Sequence, residues 1–181
     1  MSTWLVRVDL AERRLCLLAN AAARRSAVRA LFCTVSRLGD GIVWYGLIAV
    51  MAILGGPGGR RLSLQMLLTG AVGLALYKLL KRKLVRERPC VALVGIECVM
   101  PPLDRYSFPS GHTLHAVLFT SLAMAHLPVL GLILMPLAIL IALSRVVLGL
   151  HYPTDVLVGA GIGAALAALS NQWLAPLLGN T

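Results

Sequence analysis

Acidic residues are scarce in this chain. Seven Asp and Glu stand against seventeen Lys and Arg in 181 residues, giving a formal net charge of +10. So few carboxylates, none of them clustered, provide no oxygen-ligand set for a metal. Charged residues of either sign make up only 13% of the sequence, 59% is hydrophobic and the mean hydropathy is +0.84. That balance excludes an ordinary soluble globular domain. Cys16, Cys33, Cys90 and Cys98 form no C-x-x-C pair, and no Cys/His set has zinc-ligand spacing, so a structural metal is not expected. There is no polar, aromatic-studded surface to present to bases, so the positive charge points to anionic headgroups and not to nucleic acid. Asp9, Glu12, Arg13 and Arg14 interrupt the opening residues. A secretory signal would run apolar there, so the N-terminus is expected to be retained.

What the chain does have is apolar runs. Gly41–Gly56, Leu62–Leu80, Gly111–Leu127, Val129–Leu150 and Val156 to about Leu178 each approach the ~20 residues that a bilayer span needs. Pro57–Arg61 reads as a tight polar turn, Pro136 as a kink site, and the proline-rich stretch 84–109 as a loop outside the bilayer. Before the first run, arginines at 7, 13, 14, 24, 25, 29 and 37 alternate with apolar residues. This pattern predicts one or two amphipathic helices at the headgroup level, with the arginines snorkelling outward. The expected fold is therefore an all-α integral membrane protein of about five transmembrane helices, with an interfacial segment over 1–40 and a catalytic domain over 41–181. Gly159 and Gly163 suit close helix packing better than a nucleotide loop, because no strand precedes them.

Three motifs lie beside these runs. The first is K-x-x-x-x-x-x-R-P at Lys81, Arg88 and Pro89; the second is P-S-G-H at 109–112; the third joins Ser144, Arg145, His151 and Asp155. Counting crossings places all three on one membrane face. Lys81, Arg88 and Arg145 supply fixed positive donors for a multiply charged anion, and the arginine fork matches phosphate oxygens. Ser110, Gly111 and His112 open a helix whose free N–H groups suit phosphate, with the Ser110 hydroxyl as a further donor. Asp155, four residues after His151, is placed to accept the Nδ1 proton of its imidazole, leaving Nε2 as a nucleophile toward phosphorus. His112 is then the available proton donor for the leaving oxygen. His115 is read as packing and His126 as interfacial. Lys78, Arg82, Lys83 and Arg86 are read as juxtamembrane anchors.

At these residues the chain resembles the type-2 phosphatidic acid phosphatase superfamily, which also holds glucose-6-phosphatases and vanadium haloperoxidases. The resemblance implies a helical core and a phosphohistidine on His151 oriented by Asp155, with His112 as acid. It also implies phosphate contacts from Lys81, Arg88, Ser110, Gly111 and Arg145. The expected activity is metal-independent hydrolysis of a lipid phosphomonoester or diphosphate, with no cofactor. The substrate would be of the phosphatidate, phosphatidylglycerophosphate, undecaprenyl diphosphate or prenyl-phosphosugar type. The expected partners are that lipid and the bilayer itself. A haloperoxidase-like enzyme and a non-catalytic lipid-binding protein are the alternatives. The expected location is a bacterial-type inner membrane, with the basic residues favouring a cytoplasmic site. Cys90 and Cys98 would bridge only if their segment faced an oxidising compartment.

Overall fold

The computed structural model describes residues 3–102 and 104–179; the outermost ends of the two expected units lie outside them. The described residues form helices joined by loops, with no strand among them. The Arg/Leu-rich opening makes α1 (Thr3–Ala22) and α2 (Ser26–Arg37). A π-helical turn over Leu38–Ile42 then leads into α3 (Val43–Leu54), with Gly41 at φ 126°. Only glycine takes that backbone conformation without strain. The first apolar stretch therefore begins at Ser26, not Gly41, and runs through the bend to Leu54.

Next comes α4 (Gly56–Lys83), followed by the short α5 (Pro89–Ala92). The turn expected at Pro57–Arg61 is instead the first turn of α4. Proline is suited to that place because its fixed φ and missing N–H cost nothing there. The bundle is completed by α6 (Gly111–His126), α7 (Pro128–Val147), α8 (Pro153–Leu169), a π-helical turn over Ser170–Leu174, and α9 (Ala175–Gly179). Pro136 sits within α7, which continues through it.

Among the described residues, four helical stretches are long and apolar enough to cross a membrane: Ser26–Leu54, Gly56–Lys83, Pro128–Val147 and Pro153–Gly179. The remaining expected span, the third in the chain, is α6, which has 16 residues and is about 24 Å long. It is the central helix. Leu114, Leu118 and Leu122 of α6 are fully buried and pack into one core with Leu62 and Met66 of α4 and Ile141 of α7. Large apolar side chains such as Ile53, Leu54, Val129, Ile133 and Leu157 face outward, as lipid-facing positions should.

The glycines of α8 set the distance to α6. A Cβ at Gly159 would stand 2.5 Å from the Ser110 carbonyl oxygen, and one at Gly163 would stand 2.3 Å from that of Leu114. The small-residue face read from the sequence thus brings the start of α6 against the start of α8. The backbone N–H of Ser110 donates to the Asp155 carbonyl at 3.1 Å across this seam.

The loop after α4 closes over the same end of the bundle. Cys90 and Cys98 form a disulfide there, with their Cα atoms 5.1 Å apart. The Cys90 N–H donates to the Gly149 carbonyl at 3.1 Å. Asn20 of α1 donates to the carbonyls of Glu97 and Val147, each at 3.0 Å, and accepts the Glu97 N–H at 2.9 Å. The N-terminal helix is thus tied to this end of the bundle.

Candidate active site

Lys81 lies in the last turn of α4, Arg88 at the start of the loop and Arg145 near the end of α7. Helix ends deliver all three to one cavity of about 340 Å³, which Gly111, His112 and His151 also line. Arg88 is only 2% exposed, and its fork is fully engaged. Nη1 donates to the Leu150 carbonyl at 2.7 Å, Nε to the Asp104 carbonyl at 3.0 Å and Nη2 to the Asp104 carboxylate at 2.9 Å. Lys81 and the Tyr77 hydroxyl donate to the same carboxylate. Asp104, which the sequence reading did not single out, therefore holds two of the three cations through its side chain. Arg145 donates to Ser36 of α2, while its Nε is buried with no hydrogen-bond partner among the described residues.

His151 follows α7 and is buried at 2% exposure. Its Nε2 stands 3.3 Å from Arg88 Nη1. A guanidinium only donates, so Nε2 carries the lone pair and the ring proton belongs on Nδ1. Nδ1 faces Asp155 at 3.6 Å, which is an ion-pair distance and too long for a hydrogen bond. The Asp155 oxygens are committed elsewhere: Oδ2 accepts the Tyr152 N–H at 2.9 Å and Oδ1 accepts from Arg86 at 2.7 Å.

Arg86 is not an anchor facing lipid headgroups. Its guanidinium bridges Asp155 to Glu12 of α1, with Nη2 2.7 Å from Glu12 Oε2, and it lies 3.8 Å over the Tyr152 ring. Glu12 in turn accepts from the Thr154 N–H at 2.8 Å. Burial opposes the charge on Arg86, but Asp155 and Glu12 outweigh it and hold its pKa above the ordinary value. The arginine signal at 86 was visible in the sequence; its partners, 74 and 69 residues away, were not.

At the start of α6 the expected residues divide. Gly111 and His112 line the cavity, and a Cβ at Gly111 would meet the Tyr77 ring at 3.1 Å. Ser110 does not line it. Its hydroxyl is buried as the helix N-cap, 3.0 Å from Thr113 Oγ1 and accepting the Thr113 N–H at 3.5 Å, as serine at this position commonly does. His112 Nε2 contacts Asp40 Oδ1 at 2.5 Å, a partner the sequence reading missed. His115 packs as expected, with its ring nitrogens facing the carbonyls of Gly111 at 2.9 Å and Gly70 at 3.3 Å, while also lining the cavity.

Electrostatics keep the ring neutral. Burial first, then the charges of Arg145, Arg88 and Lys81, push the His151 pKa well below 6.5. A lowered pKa in a base means that the neutral ring persists to lower pH, so the Nε2 lone pair is present throughout the neutral range. NMR titration of histidine-labelled protein, with His151 identified by loss of its signal in His151→Gln, is expected to place its midpoint below ~6.5. A midpoint at or above that value is the contrary result. Asp104 shifts downward: burial opposes its charge, but Lys81, Tyr77 and Arg88 outweigh it.

Membrane-crossing helices with a cation-lined histidine site at one end define a multi-pass membrane phosphatase. Residues 62–177 match the PAP2 superfamily. The chain is 33% identical over 141 residues to the decaprenylphosphoryl-5-phosphoribose phosphatase of Mycobacterium tuberculosis, an alignment covering 75% of this chain and 74% of that protein. It is 26% identical to the undecaprenyl-diphosphatase of Sulfolobus acidocaldarius, over 81% of this chain and 71% of the relative. The crystal structure of Aquifex aeolicus LpxE matches with a TM-score of 0.73 at 29% identity, covering 88% of this chain and 94% of that one. This chain belongs to the PAP2 superfamily.

Proposed function

We propose that the protein hydrolyses a lipid phosphomonoester or diphosphate through a phosphohistidine on His151. The observation that carries this reading is the lining of this cavity. It is lined both by Lys81, Arg88, Arg145 and His151 and by apolar Trp44, Ile48, Met66 and Phe119. Tyr45, Leu67 and Leu74 line the cavity and are also exposed on the outer surface. In this reading the cavity reaches the outer surface beside these side chains of α3 and α4, so a lipid in the bilayer can present its phosphate while its tail stays in hydrocarbon.

In this reading the three cations and the α6 N-terminus stabilise charge on the non-bridging phosphate oxygens. The phosphate displaces the Asp104 carboxylate from Lys81 and Arg88. Nε2 of His151 forms a bond to phosphorus as the bond to the leaving oxygen breaks, and His112 protonates that oxygen. Water then attacks the phosphohistidine, giving its proton back to His112 and releasing phosphate. Ser110 and Asp155 support this from behind the cavity, the first by starting α6 and the second by fixing the loop that carries His151.

Substrate class is inferred from the relatives. Their names cover a prenyl-linked phosphosugar, undecaprenyl diphosphate and, for the Bacillus subtilis protein 35% identical over 58% of this chain, phosphatidylglycerophosphate. Phosphate release should be measured from these three lipids and phosphatidate in detergent with EDTA present. Turnover of at least one is expected; release from none of the four would sink the proposal.

We further infer that the site faces the oxidising side of a bacterial-type inner membrane. The Cys90–Cys98 disulfide lies in the loop that follows Arg88, and such bridges persist outside the reducing cytosol. This reverses the expectation from the count of basic residues, several of which are occupied within the site. A cysteine placed at Gly58, on the opposite face, should react with an impermeant thiol reagent only after permeabilisation. Labelling in intact cells would return the site to the cytoplasm.

A further inference from the structure

Asp40 is out of place in a phosphate site. It lines the same cavity as Lys81, Arg88 and Arg145, where a carboxylate repels the substrate. It also lies within a stretch apolar enough to cross the membrane, where a charge is costly unless it is partnered. Its partner is His112, with Asp40 Oδ1 at 2.5 Å from Nε2. The bend at Leu38–Ile42 builds this contact. Gly39, just before Asp40, lies so close that a Cβ there would stand 3.3 Å from the His112 ring and 3.0 Å from Ile141.

We propose that Asp40 is a positioning residue that keeps a proton on His112, so that this histidine can act as the acid for the leaving oxygen. The inference rests on the reading of His112 as acid and His151 as nucleophile. A protonated imidazole at this place is disfavoured first by burial and then by the like charges of Arg145 and Lys81. A carboxylate on Nε2 offsets that repulsion and fixes the ring. The other nitrogen, Nδ1, makes no hydrogen bond among the described residues and remains the donor. As the phosphorus–oxygen bond breaks, the Nδ1 proton passes to the departing alkoxide, while Nε2–H stays on Asp40. The neutral ring then takes a proton from the water that cleaves the phosphohistidine, which restores the starting state.

An acid matters only when the leaving group needs a proton. The experiment compares an alkyl or prenyl monophosphate, whose alcohol is a poor leaving group, with p-nitrophenyl phosphate, whose phenolate departs unprotonated. Both are assayed on folded, monodisperse protein in micelles. Asp40→Asn is expected to slow the alkyl ester by at least about 10²-fold and p-nitrophenyl phosphate by less than about threefold, the range for loss of acid catalysis. Asp40→Glu should recover most of the alkyl-ester rate, and adding Asp40→Asn to His112→Asn should cost nothing more. Equal slowing of both esters, slowing of neither, or additive losses in the double variant would overturn the role of Asp40. If His112→Asn fails to separate the two esters, the acid assignment itself falls. If it separates them and Asp40→Asn does not, only the present inference falls.

Discussion

His151→Ala is expected to lower phosphate release from every substrate by at least about 10⁴-fold, roughly 5 kcal/mol of transition-state stabilisation. The ring is held nearly without solvent contact, its lone pair directed at Arg88 and its second nitrogen toward Asp155. Removing it leaves Lys81, Arg88, Arg145 and the N-terminus of α6 in place, so anion binding should survive. Orthovanadate should therefore still raise the melting temperature of the variant while turnover is lost. Wild-type enzyme quenched under alkaline denaturing conditions, where a phosphorus–nitrogen bond survives, should carry phosphate on His151 and the variant none. Turnover within tenfold of wild type would mean that water attacks phosphorus directly.

The second large effect is on stability. Arg86→Ala is expected to destabilise the protein by about 3–5 kcal/mol, because it leaves buried carboxylates without their cation. Asp155 is fully buried and the Glu12 side chain is 7% exposed, so neither can turn to water. Arg86→Lys should recover little, since one ammonium cannot reproduce the fork that reaches Glu12, Thr154 and Asp155 together. Adding Glu12→Gln to Arg86→Ala should restore part of the loss by removing one unpaired charge. Activity should fall with stability, because Asp155 and Thr154 begin the helix directly after His151. Thermal unfolding in one detergent, with and without orthovanadate, measures this. A loss below about 1 kcal/mol is what an exposed ion pair would give, and would return Arg86 to the role of a surface anchor.

Much of the site was legible because its residues sit in short, chemically unusual runs. Lys81 and Arg88, Gly111 and His112, and Arg145 and His151 stand at the ends of apolar stretches, and a crossing count alone brings those ends together. The Gly159 and Gly163 face was legible for a similar reason, since spacing four apart fixes a helical face whatever packs on it. The first span was misjudged because arginines on α2 mask an apolar stretch that continues through the bend at Gly41.

The carboxylates were the larger omission. Four of the seven acidic residues, Glu12, Asp40, Asp104 and Asp155, gather at the catalytic end, yet only Asp155 was given a role from the sequence. Their scarcity in so apolar a chain was itself a signal, because an unpaired carboxylate near hydrocarbon is expensive. By itself the sequence determined the helical membrane fold and which cations and histidines come together in one cavity, since these follow from hydropathy and local spacing. Only the tertiary structure decided which carboxylate answers which cation, that Ser110 and Asp155 stand behind the cavity, and that the N-terminal helix braces the loop carrying His151. Those contacts join residues up to 142 positions apart, and at such separation pairing is set by how the helices pack.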